Sequence, residues 1–154
     1  MTPKQVSGLP SLVGLNHVGF GVRDLDAAVA FCQDVLGLEL EQRIRIESPG
    51  DDKMAGWFDV APGSVVKGAF LRLPDGSRME LVEWQSPAPA GTTMPRNADA
   101  AGRHLAMSVT DLDAAVAYLK AQPGVRVMEV HPRGFAYFET PFGMYIQMVA
   151  VTPG

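Results

Sequence analysis

The chain of 154 residues lacks several features that would point to particular protein classes. Its single cysteine, Cys32, excludes an internal disulfide and fits the reducing cytoplasm. The 13 Lys and Arg residues are outnumbered by 17 Asp and Glu residues, so we do not expect the basic face that nucleic-acid binding needs. The sequence has no apolar run of about 18 residues that could cross a membrane, and it starts without the apolar stretch of a secretory signal. We therefore expect a globular, cytoplasmic protein whose partner is a small molecule.

An internal repeat organises the apolar residues, which make up 47% of the sequence. The string DLDAAVA occurs at residues 24–30 and again 87 positions later, at residues 111–117. At the same offset His17 falls on His104, and each copy reads as a strand, a short turn and a helix. Asp24 and Asp111 are the predicted N-caps of these helices. Two copies of one unit are expected to pack together, because neither buries enough apolar surface alone.

A second repeat, at an offset of 67 positions, completes each unit. The string LPDGSRMELV at residues 73–82 matches TPFGMYIQMV at residues 140–149, and each has a Pro-x-Gly turn between two strands. The offset falls by 20 because the first copy has extra residues, which we place within 45–64. Each unit thus reads β-α-β-β-β, and the fold class is α+β. The predicted boundaries are an N-terminal extension (1–14), a first module (15–84), a linker rich in Pro, Ala and Gly (85–102) and a second module (103–151), the two modules forming one domain.

Alternation within the strands places four polar residues opposite the apolar, helix-facing side. His17 and Glu80 come from the first module, and His104 and Gln147 come from the second. Two imidazoles, a carboxylate and an amide oxygen form a ligand set for a divalent metal, since imidazole suits Zn, Fe, Ni or Co and oxygen donors suit harder ions such as Mn. Each of these residues, taken singly, is more often an ordinary solvated strand residue. The symmetric placement of all four is what favours metal binding.

The stretches from LNHVGFGVRDLDAAVAFCQDVLGLEL to TPFGMYIQMV resemble the vicinal oxygen chelate superfamily. That group includes lactoylglutathione lyase (glyoxalase), methylmalonyl-CoA epimerase, extradiol dioxygenases and the bleomycin- and fosfomycin-resistance proteins. The resemblance implies two βαβββ modules that form a cupped mixed sheet, with helices on its outer face, around a divalent ion (Zn, Ni, Co, Mn or Fe). Its ligand positions correspond to His17, Glu80, His104 and Gln147 in this chain. Such modules pair within one chain or across a dimer, and we expect a homodimer.

The last ligand position departs from the common pattern of the superfamily, which has Glu where this chain has Gln147. The epimerases combine two His, one Gln and one Glu, and this chain has the same four types with Gln and Glu exchanged between halves. The extradiol dioxygenases use Glu at the final strand, so Gln147 counts against that activity. The resemblance therefore implies a glyoxalase-like lyase or an epimerase/isomerase that removes a proton α to a metal-chelated carbonyl. The alternatives are an extradiol-type dioxygenase and a non-catalytic resistance protein that binds a drug or another small molecule.

Glu80 is the candidate catalytic base, because it is the one carboxylate among the four predicted ligands. Trp84, Tyr145 and Arg78 are the candidate substrate contacts, since alternation places them on the same open faces. The alternative interpretation is that the two aromatic rings only pack the cavity wall and that Arg78 is solvated at the rim.

Three further residues lie outside the predicted ligand set, and their roles are considered separately. Trp57 and Phe58 lie next to the insertion and form either a lid or part of the core. His131 is expected in a loop and not as a fifth metal ligand.

Overall fold

The computed structural model describes residues 8–48, 53–85 and 94–152, which form eight strands and three helices. Module 1 comprises β1 (Val18–Gly21), α1 (Leu25–Asp34), β2 (Glu39–Ile46), α2 (Met54–Phe58), β3 (Val65–Arg72) and β4 (Arg78–Gln85). Module 2 comprises β5 (Leu105–Val109), α3 (Leu112–Lys120), β6 (Arg126–Val127), β7 (Phe135–Glu139) and β8 (Tyr145–Ala150). The α+β class and the repeated β-α-β-β-β unit are confirmed, and the short α2 lies in the predicted insertion. Residues 1–7 of the predicted extension and 86–93 of the predicted linker lie outside the described residues.

Each module is a four-stranded mixed sheet whose first strand lies at an edge. The strand orders are β1-β4-β3-β2 and β5-β8-β7-β6. β1 runs parallel to β4 and β5 runs parallel to β8, whereas the other neighbours are antiparallel. The edge position bears on function, because His17 and His104 each immediately precede an edge strand.

The helices α1 and α3 start at the predicted N-caps. The carboxylates of Asp24 and Asp111 each accept a hydrogen bond from the backbone N–H three residues later, at 2.9 Å. This bond satisfies a backbone donor that the first helical turn leaves without a partner. In α1 the N–H of Leu25 also donates to the carboxylate of Glu83 at 2.8 Å, which ties the start of this helix to β4.

The helix-covered sides of the two sheets are buried in one shared core. Its fully buried members from both modules include Leu71, Met79, Leu81, Phe138 and Ile146. The modules meet on this side through their helices and the turn from β7 to β8: the rings of Phe31 and Phe142 contact edge to face at 5.7 Å, and the Tyr118 hydroxyl donates to the carbonyl of Val35 at 3.0 Å. The opposite sides of the sheets, which have the two histidines, therefore point away from the contact between modules.

Substitution of a central core side chain tests this shared core. Leu81 has no exposed surface, so Leu81→Ala is expected to lower the free energy of unfolding by about 2–5 kcal/mol through lost burial and a residual cavity. The same substitution at Leu9, which is 72% exposed, should change it by less than about 0.5 kcal/mol. Urea denaturation of both variants measures the difference. Equal stabilities would show that β4 does not pack as described.

The lone cysteine and the helices have the properties expected from the sequence. Cys32 is buried in α1, and this burial raises the pKa of its thiol to about 12. A thiol in that environment stays protonated and unreactive, as predicted. None of the helices in the described residues is long and apolar enough to cross a membrane.

Candidate active site

The first half of the predicted ligand set comes together in module 1. In the parallel pairing of β1 with β4, Gly19 lies beside Glu80, so His17 is two residues before that point on the same face. The Nε2 atom of His17 lies 3.3 Å from Oε2 of Glu80. The side chains are 33% and 17% exposed, so both are reachable from solvent while being held by their neighbours.

The hydrogen bonding of His17 prepares Nε2 as a ligand atom. Nδ1 of His17 lies 2.7 Å from Oδ1 of Asn16, an arrangement in which the Nδ1–H donates to the amide oxygen. In this arrangement Nε2 is the ring nitrogen that faces the carboxylate of Glu80. Two electron-pair donors in this position suit a shared cation, and a second partner that fixes the ring is typical of histidines that ligate metals. The residues present in module 1 therefore fit half of a divalent metal site.

Two glycines leave room around the Glu80 carboxylate. A Cβ atom at Gly19 would lie 3.6 Å from Oε2, and one at Gly68 would lie 3.4 Å from Oε1. A Cβ at Gly68 would also come within 2.8 Å of Ile44, so this position does not accept a larger residue without rearrangement. Because Gly19 and Gly68 present no side chains, the carboxylate has space on these two sides, whereas the ring of Phe70 lies directly beside Glu80 on β3.

The second half of the predicted set occupies the same positions in module 2. Ala106 lies beside Gln147 in the register of β5 and β8, and His104 precedes β5. The Tyr137 hydroxyl lies 3.4 Å from Nε2 of His104, and the two rings meet edge to face at 5.1 Å. Module 2 therefore repeats the frame of module 1 with a tyrosine beside its histidine.

Sequence analysis missed an aromatic residue that supports each histidine. The ring of Phe70 meets His17 edge to face at 5.1 Å, as Tyr137 meets His104. Phe70 and Tyr137 are separated by 67 positions, the offset of the second repeat, so the repeat itself contains the signal. Each ring contacts the neighbouring imidazole and limits its rotation.

Within one chain, the two half-sites stay apart. Among the described residues, no three side chains of His, Cys, Asp or Glu are grouped so that they could hold a metal ion. His17 and Glu80 are together, whereas His104 is next to Tyr137. This follows from the fold, because the modules contact one another through the helix-covered sides of their sheets.

Comparison with known proteins places this arrangement in a family. Residues 16–139 match the model of the glyoxalase/bleomycin resistance protein/dioxygenase superfamily. The chain belongs to this superfamily. Among curated relatives it is 38% identical over 156 residues to a 2-epi-5-epi-valiolone epimerase from an Actinomyces species, a match that covers 96% of this chain and 84% of the relative.

Solved structures of the glyoxalase superfamily share the fold. A glyoxalase family protein from Bacillus cereus has a TM-score of 0.76 and 24% identity, with 95% of this chain and all of that chain covered. A Glu-to-Gln mutant of the fosfomycin resistance protein FosX from Listeria monocytogenes, solved with Mn(II) and 1S,2S-dihydroxypropylphosphonic acid, has a TM-score of 0.59 and 20% identity, with coverages of 90% and 93%. At these identities the likeness concerns the fold, and it confirms the predicted α+β architecture.

Of the predicted substrate contacts on this glyoxalase-like scaffold, Trp84 lies on the open face of module 1. Its ring meets Phe58 of α2 edge to face at 5.5 Å. Trp57 and Phe58 are 58% and 39% exposed, so they are not part of the core, which was one of the two predicted alternatives. The short α2 instead places an aromatic cover beside Trp84.

Arg78 is held by the protein itself. Its Nε donates to Glu41 at 2.6 Å, and its guanidinium carbon lies 4.4 Å from the centre of the Phe70 ring. The hydrogen bond from Arg78, together with that from Arg72, lowers the pKa of Glu41, so this interaction is present above the ordinary pKa of a glutamate and is lost as the pH falls through the lowered value. Arg78 thus supports the ring that supports His17.

Tyr145 and His131 have local roles in module 2. Tyr145 is buried, and its hydroxyl accepts a hydrogen bond from Arg126 at 3.2 Å. His131 stacks on Phe135 at 4.5 Å between ring centres and pairs with it in an isolated bridge. His131 lies outside the named strands, as the sequence indicated.

Proposed function

We propose that this protein is a metal-dependent epimerase or isomerase that inverts a carbon next to the carbonyl group of a small polyhydroxylated ketone. The observation that supports this most is the Glu80 carboxylate, held beside Nε2 of His17 with open space between two glycines. The 38% identity to an enzyme named for epimerising 2-epi-5-epi-valiolone supports the same reaction class and a ketone as substrate.

The metal would be held by His17, Glu80, His104 and Gln147. Imidazole nitrogens with oxygen donors suit Zn, Ni, Co, Mn or Fe. When bound, the ion would supply a Lewis acid that polarises the substrate carbonyl and stabilises negative charge on its oxygen.

Proton transfer is the task of the protein side chains. A carbon next to a carbonyl has an acidified proton, and Glu80 is the one carboxylate of the proposed ligand set, so it takes this proton. Water then delivers a proton to the opposite face of the same carbon, which completes the inversion. Gln147, its counterpart 67 positions later, has an amide that cannot accept a proton in this way. Glu80 in module 1 is therefore the base, and Trp84 with Phe58 lines the approach to it.

A homodimer would complete the site. β1 and β5 are edge strands, and each has one side without a strand partner among the described residues. Since the modules of one chain contact each other on the helix-covered sides of their sheets, a second copy is needed to bring the His104 face of one chain to the His17 face of the other. Two such sites arise in a symmetric pair, because the same contact occurs twice.

The decisive experiment follows the α-proton. The protein loaded with Mn(II) or Zn(II) is incubated with 2-epi-5-epi-valiolone in D2O, and proton NMR should show loss of one α-proton signal together with formation of an epimer. Binding of the ketone without exchange or turnover would favour a binding protein, whereas oxygen uptake with catechols would favour a dioxygenase. Either result would reject the proposal.

A further inference from the structure

A concave region outside the candidate active site lies where the two modules meet. A cavity of about 780 Å³ opens between the first half of α1 and the turn from β7 to β8. Its volume is within the range of about 300–1,000 Å³ found for small-molecule sites. The lining residues that matter here are Arg23, Phe31, Arg96, Arg126, Phe142 and Tyr145. None of them belongs to the proposed metal ligands.

The floor of the cavity is aromatic and buried. Phe31 is 9% exposed and Tyr145 is 8% exposed. The rings of Phe31 and Phe142 meet edge to face at 5.7 Å, so they are fixed relative to one another. A flat apolar ring packs well against such a pair.

The walls have an excess of positive charge. Both carboxylates of the lining are already engaged, because Asp24 caps α1 and Glu139 accepts two hydrogen bonds from Arg126. Among the described residues, the guanidinium groups of Arg23 and Arg96 have no hydrogen bond or ion pair. Two unpaired guanidiniums beside an apolar floor suit a ligand that has an anionic group.

The internal duplication provides a reference for what the scaffold itself requires. The position of Arg23 is occupied by Thr110 in the other repeat, and that of Phe142 by Asp75. The corresponding region between α3 and the turn from β3 to β4 has a cavity of about 570 Å³ that is lined mainly by aliphatic residues, among them Leu36, Leu73 and Leu105. The second cavity is also lined by Tyr118, the aromatic counterpart of Phe31, and by Arg78, so the comparison singles out Arg23 and Phe142. These two residues are not needed to build this fold, which makes a ligand the better explanation for them.

We propose that the cavity between α1 and the β7–β8 turn binds a small organic anion in which a phosphate or carboxylate group is joined to a flat apolar ring. Arg23 and Arg96 bind the anionic group, and the Phe31–Phe142 pair binds the ring. This site is separate from the half-sites of His17 and His104 and does not depend on the proposed epimerase activity.

Isothermal titration calorimetry with 1-naphthyl phosphate tests the site. Arg23→Gln and Arg96→Gln should each weaken binding by about tenfold or more, because each removes a charge-assisted hydrogen bond. Arg133→Gln, which removes an exposed arginine outside the cavity, should change the affinity less than about twofold. Phe142→Leu should weaken binding of the naphthyl compound and leave binding of inorganic phosphate unchanged.

Three outcomes would overturn the assignment. They are the absence of 1-naphthyl phosphate binding to the unaltered chain, equal affinities of the Arg23, Arg96 and Arg133 variants, and equally tight binding of neutral 1-naphthol. Circular dichroism of each variant shows that the fold is retained. Binding of 1-naphthyl phosphate to Glu80→Gln should be unchanged, which separates failure of this site from failure of the epimerase proposal.

Discussion

Replacing Glu80 by Gln is expected to lower turnover and α-proton exchange by about 10²- to 10⁴-fold, the range that a positioned base contributes. The side chains are nearly equal in shape, and the amide oxygen can still ligate a metal, as proposed for Gln147. Metal content, measured by elemental analysis, should therefore change much less than the rate. A large loss of rate with little change in metal content distinguishes loss of a base from loss of the ion.

The control for this prediction is Glu47→Gln, the same substitution at an exposed carboxylate. Glu47 is 56% exposed and pairs only with Arg45 at 3.0 Å among the described residues. The turnover of the Glu47→Gln variant should therefore stay within about twofold of that of the unaltered protein. Full activity of Glu80→Gln would remove Glu80 from the mechanism. Loss of metal together with activity would leave it as a ligand without evidence for a role as base.

Two inactive variants are expected to regain activity when they are mixed. His17→Ala and His104→Ala each remove one imidazole from every site, so each protein alone should lose metal and turnover. In a dimer of one chain of each type, one site receives both substitutions and the other receives neither. With random exchange of chains in an equal mixture, about a quarter of the unaltered activity should return.

A matched mixture gives the control. His17→Ala and Glu80→Gln both change module 1, so every site of their mixed dimer remains damaged and no activity should return. Recovery in this mixture would contradict the shared site, as would the absence of recovery when His17→Ala and His104→Ala are combined. A site formed within one chain predicts no recovery in either mixture.

The helices and strands could be predicted from the sequence because they depend on interactions between residues that are close together in the chain. Asp24 and Asp111 mark helix starts through hydrogen bonds spanning three residues, and alternation alone placed Glu80 opposite the apolar face. The repeat offsets gave the pairing of each histidine with its partner position. These contacts depend on spacing along a strand or helix, and the sequence contains that spacing directly.

What could not be predicted depends on contacts between distant segments. Arg78 was a candidate substrate contact, yet it is held by Glu41 from β2, 37 residues away, and no periodicity links the two. The packing of one module on the other includes the contact of Phe31 with Phe142. That contact depends on surface shapes, which alternation of residue types does not specify. For this reason the sequence left open whether the half-sites join within a chain or between chains.

The glycines that flank Glu80 have a consequence for how the duplicated halves diverged. The positions of Gly19 and Gly68 are taken by Ala106 and Phe135 in module 2, so one half keeps an open floor where the other presents a ring. Under the proposed function, proton transfer and shape recognition fall to different copies of the same unit. Redesign toward new ketones would then begin at Phe135, since a change there leaves His17 and Glu80 of module 1 in place.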